Sequence, residues 1–384
     1  MDSQTPHILE TELLNAERVE LLNELDKLFQ EEPISREVWA FFWVSDIDKL
    51  KEIVSKLRTE PDLAGHYEKS VEETTIVKHW AQKSRQASAL STPTSSQTPL
   101  PAGSPANRPG GLKRKLEDET IKGRSKTEAD KCRKRDGEEC VITKAGTPVE
   151  IAHIFPFSMR HLQSPEELVR RYNFWKTLRL FWPEEKVNAW FQAIGATTET
   201  TRNLLSFAPH THSYHGRAYF GLKPVEMNED QTQLTLQFYW LPWASKPQRV
   251  RLTTRPDVPS IRDGREVGSE RSGKVKLFDV YSNKPIFSGD VIVMKTADPE
   301  EWPLPDLALL EMQWVLNVVA AISAGSEPVD LDYSDYDSPD MSMAYTFEDL
   351  SESSLSPPRC LKSPKLESEH LDSTVQQPLI TPYS

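Results

Sequence analysis

The sequence predicts an α+β protein. Apolar residues recur at helical spacing in three separate stretches, and strict apolar/polar alternation sets in after Pro224. Two further stretches, 89–128 and 325–384, are too polar and too rich in Ser and Pro to bury a core. The chain is therefore expected to divide into a helical unit at 1–88, a Ser/Pro-rich then basic linker at 89–128, a mixed domain at 129–324 and a disordered acidic tail at 325–384.

Composition bounds the rest. Of 384 residues, 37% are hydrophobic and 29 are proline, enough for two packed units but not for a chain folded throughout. The formal net charge of −12 is unevenly placed: from Ser326 onward twelve acidic residues face only Arg359, Lys362 and Lys365. The remainder is close to neutral, so the overall acidity does not argue against a nucleic-acid partner. Cys132, Cys140 and Cys360 are too few for a disulfide scaffold and point to a reducing, intracellular setting. No secretory pattern opens the chain, and no apolar run is long enough to cross a bilayer, so no membrane association is expected.

In chain order, Leu14, Leu21, Leu25 and Leu28 mark a first helix. Ser45 with Asp48 caps a second, whose stripe is Ile47, Leu50, Val54 and Leu57. These stripes read as helix–helix packing, with a partner-binding surface as the lesser reading. The linker ends in Lys113-Arg114-Lys115, followed by Lys122, Arg124, Lys126, Lys131, Arg133, Lys134 and Arg135. Such a run suits a solvated segment, a nuclear-import signal or a phosphate-contacting arm. Cys140–Thr143 and Glu150–Phe155 read as two strands of a hairpin, turned at Ala145-Gly146-Thr147-Pro148 and carrying His153 on the returning arm. A helical pattern runs from Pro165 to about Ile194, interrupted at Pro183, with Leu168, Tyr172, Trp175, Leu178 and Phe181 on one face and Val187, Trp190 and Phe191 later; its tryptophans are expected to seal a core. Leu234, Leu236, Phe238 and Trp240 then alternate with polar residues, and the theme continues through Val250, Leu252, Val275, Leu277, Val291 and Val293. A last helix spans Asp306–Ile322, with Leu309, Leu310, Trp314, Leu316 and Val319 for burial.

Taken singly, the residues that carry chemistry have ordinary readings. His153 between Ala152 and Ile154 suits a core histidine, and Asn203 suits a turn or a cap. His210, His212 and His215 suit a surface patch, or structural zinc with Cys132 and Cys140, although that cysteine spacing is wider than usual. In this order, however, a strand-borne His, a later Asn and a His opening a helix resemble the HNH nuclease motif. The words RDGEECVIT, IAHIFPFS, NLLSFAPHTH and FGLKP resemble HNH-domain proteins that are numerous in fungi.

That resemblance implies a ββα-metal finger with a helical insertion, its two strands and one helix clamping a single divalent ion against a DNA phosphate. It implies His153 as general base, Asn203 as the residue that orients it, and His212 as metal ligand, with His215 or His210 completing the shell. Mg²⁺ is the ion expected first, Mn²⁺ or Zn²⁺ after it. Lys131, Arg133, Lys134 and Arg135 are the expected DNA contacts. Two positions depart from the pattern: Ala152 stands where many relatives carry a metal ligand, and Gly216 stands where a ligand one turn after the opening His is common. They keep open a non-catalytic module that binds nucleic acid or protein. An adaptor working through the N-terminal helices and the acidic tail needs none of these residues.

Overall fold

The computed structural model describes residues 8–81, 125–159, 168–195, 197–242, 249–256, 265–267 and 273–324. The linker before Ser125 and the tail from residue 325, with their basic and acidic runs, lie outside these. Helices α1 (Ile8–Leu13), α2 (Ala16–Leu28), α3 (Arg36–Val44), α4 (Ile47–Thr59), α5 (Ala64–Thr74) and α6 (Ile76–Trp80) form the first part, with the two-residue strand β1 (Ile34–Ser35) between α2 and α3. Their starts are set by side chains that take up orphan backbone N–H groups: Asn15 for α2, Ser35 for α3 and Asp46 for α4. Ser45 is not the cap expected of it; it closes α3, buried, with its hydroxyl donating to Phe42 O. The buried face of α2 runs through Leu22 and Leu25, while Leu14, Leu21 and Leu28 are only partly covered.

After α7 (Lys126–Arg135) come β2 (Glu150–His153), α8 (Leu168–Phe181), α9 (Glu184–Ile194), β3 (Leu204–Phe207), α10 (Pro209–Gly216), β4 (Phe220–Met227) and β5 (Gln233–Trp240). Short strands β6 (Arg249–Val250), β7 (Arg265–Val267), β8 (Gly273–Val275), β9 (Phe278–Asp279) and β10 (Lys284–Pro285) lead to β11 (Val291–Lys295) and α11 (Leu307–Ile322). The expected hairpin between Cys140–Thr143 and Glu150–Phe155 does not form. Cys140–Thr143 forms a turn, its Cys140 N–H donating to Ala145 O, and β2 pairs antiparallel with β3. The two strands are thus neighbours in space although α8 and α9 lie between them in sequence. A three-stranded sheet in the order β11-β5-β4 follows. In β11 it is Ile292 and Met294 that are buried, with Val291 and Val293 exposed, one register step from the expected face.

The chief departure from expectation concerns the helical unit at 1–88. Its described part and the rest of the described chain belong to one compact unit with one apolar core. Helix α11 explains why: thirteen of its sixteen residues are buried, so it needs partners on every side. It packs on β4, α9, α3 and α6. Polar bonds cross the same junction, from Trp80 Nε1 to Asn317 Oδ1 at 2.8 Å and from Trp43 Nε1 to Leu252 O at 3.0 Å. The apolar faces of the N-terminal helices are largely used within the chain itself, which leaves little of them for the partner surface considered above. The tryptophans of the insertion seal this core, as expected; Trp182 and Trp190 are fully buried and adjacent. No helix among the described residues is long and apolar enough to cross a membrane.

Strand β4 approaches α11 closely at Gly221. A Cβ at Gly221 would stand 2.8 Å from Trp314 Cε3, and that indole also packs against the ring of Tyr239. Gly221→Ala is expected to destabilise the fold by about 1–3 kcal/mol through overpacking. The check is a lower urea midpoint at an unchanged slope.

Candidate functional site

Strand β2 lies against β3 with Glu150 opposite Phe207 and His153 opposite Leu204. Helix α10 follows β3 directly; Pro209 occupies its first turn, where the missing N–H costs nothing. His153 ends one strand, therefore, and His212 sits near the start of the helix that follows the other.

Asn203 makes the junction rigid. It is 1% exposed, and its Oδ1 accepts from Phe155 N–H at 2.8 Å while its Nδ2 donates to Thr198 O at 2.9 Å and Phe155 O at 3.2 Å. Its own carbonyl accepts from Ile154 N–H at 2.8 Å. Asn203 so grips both residues after His153, and its own burial keeps it from any reacting atom.

The histidines divide. His153 Nε2 lies 2.6 Å from Glu199 Oε1, with the two side chains only 7% and 10% exposed. His212 Nδ1 lies 2.8 Å from Glu150 Oε2, and this pair is more open. His215 is buried, with its Nε2 against Gln313 Nε2 on α11 and its ring against Phe207 and Phe220. Burial, and then charge on His212 and His153, push its pKa down to about 3. His210 is exposed and meets the Tyr214 ring edge-on. A cavity of about 20 Å³ adjoins His153, lined also by His215, Gln313, Asn317, Trp80 and Pro156. His212 is not on its wall.

These positions decide which residues fit a metal ion. Among the described residues no group of three or more His, Cys, Asp or Glu side chains is arranged to hold one. The set His210, His212 and His215 does not fit, because His215 turns into the core and His210 toward Tyr214. The zinc reading with Cys132 and Cys140 gains no such group either: Cys132 Sγ meets Asp136 and Ser206, and Cys140 Sγ accepts from Thr143 N–H. His212 alone fits: an imidazole whose Nδ1–H is taken by a carboxylate presents Nε2 to a cation, the usual arrangement behind a metal-bound histidine. A hydrated ion such as Mg²⁺ tolerates so few protein ligands.

Helix α7 carries the basic residues. Lys131 and Arg133 are part-exposed and paired with Glu128 and Asp130 one turn back, and Lys134 lies over the Trp302 ring at 4.1 Å. Arg135 is not a DNA contact. Its side chain is fully buried: Nε and Nη2 donate to Asp136, Nη1 to Thr201 O and Pro303 O, and Nη2 also to Leu204 O at 2.8 Å. Burial alone would lower its pKa, but Asp136 and then Cys132 outweigh that and hold it above its ordinary value.

Glu150 and Glu199 were missed by reading the sequence. Glu150 was legible in principle, three residues before His153 on the same strand. Glu199 was not, since only tertiary folding brings it to His153 across 46 residues.

Two antiparallel strands are followed by a helix, with a histidine at the end of the first strand and another near the helix start. In agreement with that geometry, residues 140–223 match the family model described as HNH endonuclease. The matched stretch runs from the turn at Cys140 through β2, the helical insertion, β3 and α10 into β4. No curated protein and no solved structure matches the chain.

Arg135→Ala is expected to cost about 3–5 kcal/mol, because it leaves Asp136 buried without its partner; chemical denaturation reads this directly. A second expectation concerns pH. His215 stays neutral in the folded chain down to about pH 3, whereas its ordinary value is 6.5. Between those values the unfolded chain binds the extra proton, so the contribution of His215 is whole above about pH 6.5 and falls as the pH drops toward 3. The loss is at most about 1.4 kcal/mol per pH unit. His215→Gln should flatten the decline of stability between neutral pH and about pH 5 relative to the unaltered chain, as measured by urea midpoints.

Proposed function

We propose that this protein is an HNH-type endonuclease that hydrolyses phosphodiester bonds in DNA with His153 as general base. The observation that carries the reading is the grip of Asn203 on the two residues after His153, within the stretch that matches the HNH endonuclease family. In the reaction a water oxygen attacks phosphorus and gives its proton to the His153 imidazole, while the bond from phosphorus to the leaving oxygen breaks and that oxygen takes up a proton. A neutral imidazole suits this task near neutral pH. His212, oriented by Glu150, would hold a divalent ion, Mg²⁺ foremost; when bound, such an ion offsets charge on the phosphate and leaving oxygens. Lys131, Arg133 and Lys134 would contact DNA phosphates outside the cleavage site. An intracellular, DNA-containing compartment such as the nucleus suits this activity.

A second reading has its own support. The His153 side chain is recessed, and three metal-donor groups are not assembled among the described residues. Both observations suit a module that binds nucleic acid without cutting it.

Plasmid DNA incubated with Mg²⁺, Mn²⁺ or chelator separates the two. The nuclease should cut with metal and not with chelator, and His153→Ala should lower turnover about 10²–10⁴-fold with DNA affinity unchanged. Binding without cleavage in any metal, identical in His153→Ala, would assign the binding module. In either case, changing Lys131, Arg133 and Lys134 together to Ala should weaken binding and reduce the salt slope by about one for each phosphate no longer neutralised. Arg135 is left unaltered in that variant because it holds the fold.

A further inference from the structure

We infer that Glu199 sets the tautomer of His153, holding the ring as the Nε2–H form so that Nδ1 carries the lone pair. The catalytic consequence rests on the nuclease reading above; the tautomer itself does not.

The loop from Thr197 to Asn203 reaches His153 twice. Asn203 fixes the backbone beyond it, and Glu199 fixes the ring, with Oε1 at 2.6 Å from Nε2. The second oxygen is also committed: Glu199 Oε2 accepts from the backbone N–H of Ser125 at 2.7 Å. Ser125 is the N-cap of α7, so that donor is held by a helix start and cannot rotate away. Glu128, on the same helix, accepts from both N–H and Oγ1 of Thr201, at 2.9 Å and 2.7 Å. The loop carrying Glu199 is thereby tied to α7 both through the carboxylate and through Thr201.

An ionised carboxylate only accepts, so the proton between it and a neutral imidazole belongs to Nε2. The ring is then left with its lone pair on Nδ1, the form a base requires. Near-complete burial of both side chains keeps water from competing for Nε2. The role is one of positioning: Glu199 touches the proposed base and not the reacting phosphate. A triad aspartate that holds an imidazole in the right tautomer acts by the same physics.

The two-acceptor geometry supplies the test. Glu199→Gln preserves shape but leaves one acceptor oxygen where two donors need one. Ser125 N–H cannot turn, so the amide oxygen goes to it and the amide N–H₂ faces His153, which must then offer Nε2 as acceptor and move its proton to Nδ1. Full-length chain labelled with ¹⁵N-histidine reports this by two-bond proton–nitrogen correlation, with the His153 signals identified by their loss in His153→Ala.

The expected result is an Nε2–H ring in the unaltered chain and an Nδ1–H ring in Glu199→Gln. Plasmid turnover should fall about 10²-fold or more in that variant, with KM and DNA affinity within about twofold. Glu199→Asp keeps two acceptors and should retain the Nε2–H form; it serves as the comparison if Glu199→Gln loses its near-ultraviolet circular dichroism. An Nδ1–H ring in the unaltered chain, or a folded Glu199→Gln with the tautomer unmoved, would overturn the inference. Absence of cleavage by the unaltered chain would instead remove the nuclease reading, and the tautomer comparison would still decide the role of Glu199.

Discussion

The buried pair of Arg135 and Asp136 is the constraint on which the site depends. One guanidinium reaches four parts of the chain: its own helix end, the turn at Thr201, the first residue of β3 and Pro303 ahead of α11. Asp136 answers by accepting from Ser206 N–H at 3.0 Å as well. These bonds fix where β3 begins and which way it faces. The position of α10, and with it His212, follows from β3, and the position of Asn203 follows from the turn before it. A lysine has neither the five donors nor the planar fork to make these contacts at once. Two charges this deeply buried are stable only because they meet each other and the surrounding carbonyls and amide.

A second dependence runs through α11. Most of this helix is buried, and two polar residues on it, Gln313 and Asn317, face His215 and Trp80. Gln313 Oε1 has no hydrogen-bond partner among the described residues, and it stands on the wall of the cavity beside His153. The N-terminal helices and the stretch that matches the HNH endonuclease family therefore both pack on α11. Their shared core gives the recessed His153 a rigid rear wall, while His212 and Glu150 remain on the open side.

Element type was legible from particular residues. The stripe of Leu50, Val54 and Leu57, the break at Pro183 and the alternation from Leu234 to Trp240 each report a local period, and local period sets helix or strand with little help from the rest of the chain. The motif words placed His153, Asn203 and His212 in the right order because order along the chain is what a sequence carries. Cys140–Ile142 misled for the same reason. Three apolar residues mark a buried turn as well as a strand, and the true partner of β2 lies 51 or more residues further on, beyond two helices.

What the sequence determined by itself is the set of local conformations and the inventory of chemical groups: a strand with His153, a helix with three histidines, a basic segment before them. What only the tertiary structure decided is which of these groups face each other. Arg135 and Lys134 are adjacent in a basic run, yet one is buried on Asp136 and the other lies over Trp302. His212 and His215 share a helix, yet one turns to Glu150 and the other into the core. The physical reason is that burial and pairing of a charged or polar group depend on contacts between residues far apart in the chain. Residues i and i+3 on one short helix can lie in different electrostatic environments once the helix is packed on one side only.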